Sequence, residues 1–173
     1  MRLFHGMNKS YINIQHQSFT YTNIRGFPYL SGKTMSSGKT PVGLTNFQGW
    51  ETGIRRTFTI APADAWETLF TQPVLGYWLD SNAGLPLEKS DTYTTSSGIT
   101  IRVTSVTTGK VIRMKWQQAP DTDASTLQIR VIPAREKTVI AFHHEWLKNE
   151  EERIKMNDYW KGVLDKIEAY LQR

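Results

Sequence analysis

Residues 138–171 read TVIAFHHEWLKNEEERIKMNDYWKGVLDKIEAYL, and the way this stretch divides decides the fold. Its first ten residues alternate and are rich in β-branched and aromatic side chains, the pattern of a half-buried strand. Beyond Asn149 the period changes: Met156, Trp160, Val163, Leu164, Ile167 and Leu171 recur at helical spacing. Asn149 is placed to cap that helix, with Glu152 three residues on as its capping-box partner. A helix this long spans roughly 30 Å, enough to lie across a whole sheet.

Working outward, the segments ITIRVTSV, KVIRMKW and TLQIRVI also alternate. Ser96-Ser97-Gly98 and Thr107-Thr108-Gly109 supply hairpin turns between them. Upstream, GIRRTFTI (53–60) predicts a strand with Ile54, Phe58 and Ile60 on one face. Pro62 opens a short helix with a stripe of Trp66, Leu69 and Phe70, and QPVLGYWL (72–79) predicts a second one. Strand, two short helices, a run of antiparallel strands and one long helix make an α+β domain, with a cleft where a curved sheet meets the helix.

The 173 residues suffice for one domain with a real core. There is no cysteine, which excludes disulfides, thiolate nucleophiles and cysteine-ligated metal sites and agrees with a cytoplasmic location. No apolar run approaches the roughly 20 residues of a membrane span, and the first residues have no signal core. The net charge of +5 is unevenly placed. Arg2, Lys9, Arg25, Lys33 and Lys39 face one acid, Glu51, in the first 52 residues, while the remainder is nearly neutral. Residues 1–48 therefore read as a flexible basic leader, of which residues 1 to about 45 should be dispensable for folding, and 49–173 as the domain. Bases spread along a Gly/Ser/Thr-rich leader do not form the clustered face that nucleic acid requires. SGKTMSSGKT (31–40) echoes a phosphate loop, but Gly32 and Gly38 are six apart rather than five, and no strand precedes them.

Five segments carry a resemblance: GWETGIRRTFTIAPADAWETLF, the short helix GYWL, the strand end RMKW, the strand TVIAFHHEWL, and YWKGVLDKIEAYL. In this order and spacing the chain from 49 to 172 resembles the START-like (SRPBCC) helix-grip superfamily. Within it, the chain is similar to the C-terminal domain of the activator of the ninety-kilodalton heat-shock protein ATPase. Tyr159 stands where that family often has glycine before Trp160. The resemblance implies a curved antiparallel sheet gripping the last helix. It also implies a role as small-molecule binder, chaperone-associated module in a stress response, or cyclase- or hydratase-like enzyme. Fold alone does not choose among these.

In a strand from Thr138, Ile140, Phe142, His144 and Trp146 share one face, and Val139, Ala141, His143 and Glu145 the other. The bulkier face should look toward the helix, so His143 and His144 point apart and cannot share a metal. His143 and Glu145 read as an exposed pair, and His143→Ala as nearly neutral. His144 reads as a partly buried histidine satisfied by a neighbour or as a polar anchor in an apolar cavity. No Ser–His–Asp arrangement is legible. The expected cavity lining is Ile112, Met114, Trp116, Ile129, Phe142, His144, Trp160 and Leu164, with Tyr77 and Trp78 gating its mouth. The expected function is binding of a hydrophobic or aromatic small molecule there, without metal or cofactor. A chaperone partner and an enzyme using the same cavity are the alternatives.

Overall fold

The computed structural model describes residues 40–80 and 87–173. Seven strands form one antiparallel sheet in the order β1-β2-β7-β6-β5-β4-β3. They are β1 Leu44–Thr45, β2 Gly49–Phe58, β3 Thr92–Thr94, β4 Thr100–Thr107, β5 Val111–Gln117, β6 Ser125–Ala134 and β7 Lys137–Leu147. Between β2 and β3 lie α1, Pro62–Leu69, and α2, Val74–Trp78; α3 runs from Glu150 to Leu171. The fold is the helix-grip fold of the START-like superfamily, as expected. Of the residues read as a leader, 40–48 are described, and Leu44–Thr45 pair with β2 at the sheet edge. The flexible character expected of residues 1–39 concerns positions outside the described residues.

Alternation builds the core. Ile112, Met114 and Trp116 of β5, Leu127 and Ile129 of β6, and Ile140, Phe142 and His144 of β7 are all buried. They face the stripe of Met156, Trp160, Val163, Leu164 and Ile167 on α3. The Asn149 side chain accepts from Glu152 N at 2.9 Å, and Glu152 reaches back to Lys148 N at 2.6 Å. Arg56 of β2 bridges to Asp165 and Glu168 at 2.6 and 2.8 Å, tying the C-terminal half of α3 to the sheet.

The end of β7 departs from the expected alternation. Thr52 pairs with His144 but Trp50 pairs with Leu147, so β7 spends one more residue than β2 between these contacts. This bulge places Leu147, 4 % exposed, in the inward position expected of Trp146. Trp146 turns outward, 51 % exposed, with φ at 63°. The backbone there is left-handed, which a bulky side chain rarely adopts.

Candidate functional site

His144 lies at the centre of the grip, fully buried. The indole Nε1–H of Trp160 donates to His144 Nδ1 at 3.2 Å, and His144 Nε2 lies 2.7 Å from Ser125 Oγ, which donates to the Trp116 carbonyl at 2.9 Å. An indole nitrogen can only donate, so Nδ1 must be the bare nitrogen and Nε2 carries the proton. Every link is then satisfied: Trp160 N–H to His144, His144 N–H to Ser125, Ser125 O–H to Trp116 O. Burial, with His143 adding repulsion, lowers the His144 pKa to about 3. The imidazole is neutral at physiological pH. Although Ser125 and His144 are adjacent, the proton lies the wrong way for the imidazole to activate the hydroxyl as a nucleophile.

The remaining residues expected to line a cavity converge on the same place. Phe142 stacks on Trp160 with centroids 4.8 Å apart, and Trp116 meets Trp160 edge-on at 5.6 Å. The space directly between these rings is filled by the rings themselves. Ile112, Met114, Ile129 and Leu164 are fully buried around them. Trp78 is fully buried too, and its indole donates to Leu69 O at 2.7 Å, an anchor that any gating motion would have to break. Tyr77 is half-buried, with the Lys166 ammonium 5.9 Å from its ring centroid.

Open space begins on the far side of Trp116. A groove of about 780 Å³ runs past the β5–β6 loop, the end of β7 and the start of α3. Its lining includes Trp116, Gln118, Ser125, Trp146 and Glu152, with charged rims from Lys115, Asp121, Asp123 and Lys148. A smaller depression of about 190 Å³, bounded by Ile99, Met156 and Tyr159, shares Trp116 and Gln118 with it. Trp116 is 2 % exposed, yet its buried Nε1–H has no hydrogen-bond partner among the described residues. Sequence reasoning missed Ser125, although extending the inward face of Leu127 and Ile129 back by two residues points to it.

On the opposite face of the sheet, Glu145 is 1 % exposed, which corrects the expectation of a solvent-facing pair with His143. Its oxygens hold Arg113 and Gln128 at 2.8 Å each and His143 Nδ1 at 3.1 Å. The other ring nitrogen of His143 lies 3.4 Å from Glu51. Long neighbours on three strands cover the carboxylate, and alternation alone does not report that cover.

The helix-grip architecture with this aromatic centre defines the class, and the comparisons agree. The chain belongs to the activator of Hsp90 ATPase homolog 1-like protein family, whose model matches residues 59–172. Among solved structures, the chain is similar to PFC0360w, an HSP90 activator from Plasmodium falciparum, at 19 % identity and a TM-score of 0.59, covering 70 % of this chain and 96 % of that one. It is similar to protein MLL2253 from Mesorhizobium loti at 20 % identity and a TM-score of 0.59, covering 71 % and 97 %. CalU16 from Micromonospora echinospora matches at 12 % identity and a TM-score of 0.59, covering 70 % and 73 %. At such identities the likeness concerns the fold. No curated protein sequence matches. Among the described residues, no helix is long and apolar enough to cross a membrane.

Proposed function

We propose that the chain is a binding module for a small hydrophobic or aromatic molecule, held where the sheet meets the N-terminal half of α3. The observation that carries this reading is the groove of about 780 Å³ against Trp116, within the size range of small-molecule sites. Of the residues expected to line the site, Trp116 would touch the ligand. Phe142, His144 and Trp160 would hold Trp116 in place from behind. The closed hydrogen-bond chain around His144 supports binding over catalysis by that imidazole, whose bare nitrogen is taken by Trp160. Cytoplasmic residence belongs to the same proposal and rests on the absence of cysteine.

The test is native mass spectrometry of the purified protein, followed by a thermal-shift screen of aromatic compounds at tens of micromolar. A ligand of the folded state raises the melting temperature by mass action. A co-purifying molecule or a dose-dependent stabiliser is expected; a broad screen without either would overturn the reading.

A second reading, a chaperone-associated domain, is favoured by the family match and by the likeness to an HSP90 activator. Val42 and Phe47, 76 % and 86 % exposed near the first hairpin, are the apolar side chains such a partner would cover. Retention of a purified chaperone by the wild-type chain, lost in Phe47→Ser, would establish it.

A further inference from the structure

The outer face of the sheet, turned away from α3, is unevenly charged. Among the described strands the acids are Glu51 and Glu145, and Glu145 is 1 % exposed. Alternation turns Arg55, Arg102, Arg113, Lys115 and Arg130 outward, since neighbours such as Ile101, Met114 and Ile129 face the core. Register joins these cations into an oblique stripe. Lys115 of β5 pairs with Arg102 of β4. Arg113 stands two residues from Lys115 and pairs with Gln128, two residues from Arg130 on β6. Arg130 and Arg55 then flank Ala141 of β7. Arg102 and Lys115 are thus like charges directly opposite each other, an arrangement that destabilises a sheet. Neither forms an ion pair among the described residues.

Buried polar side chains hold the stripe from below. Arg130 Nη2 donates to Gln128 Oε1 at 2.8 Å, and Gln128 Nε2 donates to Glu145 Oε1 at 2.8 Å. Arg113 Nη2 donates to Glu145 Oε2 at 2.8 Å, and Lys115 Nζ to Thr126 Oγ1 at 3.1 Å. Gln128, Glu145 and Thr126 are all buried and add nothing to an apolar core. What they do is fix where three cations stand. Each cation keeps N–H donors that its anchor does not use, and side chains ordered in advance lose less freedom when a partner binds.

The stripe matches a row of carboxylates. Alternate residues of an extended peptide project to one side about 7 Å apart, the same interval that separates Arg113 from Lys115. A guanidinium fork takes a carboxylate through two parallel N–H donors. Between the cations, Ala141, Gln128 and Thr126 offer no ring on which a nucleobase could stack and no large apolar side chain to enter a bilayer.

We infer that the outer face of the sheet docks an acidic segment of a partner protein, extended and carrying carboxylates on alternate residues, along the stripe from Arg102 to Arg55. The inference does not depend on the small-molecule reading, whose aromatic centre lies on the other face of the sheet.

The probe is a fluorescein-labelled peptide of alternating Glu and Ser, about eight residues long and so roughly 26 Å when extended. Its counterpart carries Gln for every Glu. In anisotropy titrations of the full chain the Glu peptide should bind and the Gln peptide should not. Raising salt from about 50 to about 500 mM should weaken binding at least tenfold. Arg102→Gln should weaken it roughly fivefold or more, yet melt no lower than wild type, because Lys115 loses a like-charged neighbour. Ala141→Glu puts a carboxylate between Arg55 and Arg130, and should melt above wild type while binding the peptide more weakly. Lys161→Gln removes the same charge from an exposed position on α3, and Lys9→Gln from the chain upstream of the sheet; both should bind as wild type. Equal binding of the two peptides, undiminished binding by Arg102→Gln, a fall in its melting temperature, or the same loss in Lys161→Gln or Lys9→Gln overturns the inference. A single-stranded oligonucleotide of equal charge, or vesicles rich in phosphatidylserine, binding more tightly than the Glu peptide would make the stripe a phosphate surface and overturn it as well.

Discussion

The indole of Trp160 donates to Nδ1 of His144 across 3.2 Å, which puts the imidazole proton on Nε2 and points it at Ser125. A residue of the last helix thereby sets the tautomer of a residue on the central strand. Protonating His144 would place two donors nose to nose at Nδ1.

That arrangement predicts an acid-sensitive fold. The folded pKa, about 3, lies below the ordinary 6.5, so the unfolded chain binds the proton more readily. The stabilisation is fully present above pH 6.5 and is lost progressively as the pH falls toward 3. Between pH 7 and pH 5 this one group should cost about 2 kcal/mol. His144→Gln offers Trp160 and Ser125 the same acceptor and donor without titrating. Urea melts at the two pH values should show a wild-type loss larger than the variant's by about that amount; parallel losses would show that His144 does not govern it.

The carboxylate of Glu145 should matter more than its place on the outer face suggests. Glu145→Ala removes the shared acceptor of Arg113, Gln128 and His143, and should cost about 1–2 kcal/mol, since Arg113 is 40 % exposed and keeps its water while buried Gln128 loses its partner. His143→Ala, expected from the alternation alone to be nearly silent, should cost about 1 kcal/mol through lost contacts to Glu145 and Glu51. Denaturant midpoints of the two variants, with unchanged slopes, check both figures.

Element order, the alternation that buries β5, β6 and β7, and the cap at Asn149 were legible because each is local: a period, a turn residue, a side chain three positions from its partner. The inward placement of His144 followed from counting along β7 from Thr138. Counting failed two residues later, where one extra residue in β7 opposite Trp50 exchanged Trp146 for Leu147. A bulge is a property of two strands, and the β7 sequence alone carries no mark of it. The same limit hid the cover on Glu145, supplied by Arg113, Gln128 and His143 on three strands, and the unpartnered indole N–H of Trp116.

Trp78 is a further case where contact replaces expectation. Its indole N–H ends on Leu69 O in the buried corner between α1 and α2. Trp78→Phe should therefore lower stability by 1–2 kcal/mol through the unpaired carbonyl and the space left behind, and leave the rate of ligand association unchanged. Stopped-flow traces showing faster association in this variant would restore the gating role.

Every strand and helix described lies between Leu44 and Leu171. A chain beginning at Thr40 should melt cooperatively within about 5 °C of the full-length protein; a fall beyond about 10 °C would correspond to well over 1 kcal/mol for a domain of this size and would mean that residues 1–39 contribute to it. Thr40 is the place to cut because β1 then survives.

The pairing of β2 with β7 also bears on how the protein comes to be made. The two strands lie side by side, yet one spans residues 49–58 and the other 137–147. While the ribosome is still synthesising the middle of the chain, β2 has no partner among the described strands but the two-residue β1, and its apolar face waits for a helix not yet translated. The sheet and its gripped helix can close only after residues through α3 have emerged. Such non-local closure slows folding relative to helical bundles, and the nascent strand edge is open to wrong partners in the interval.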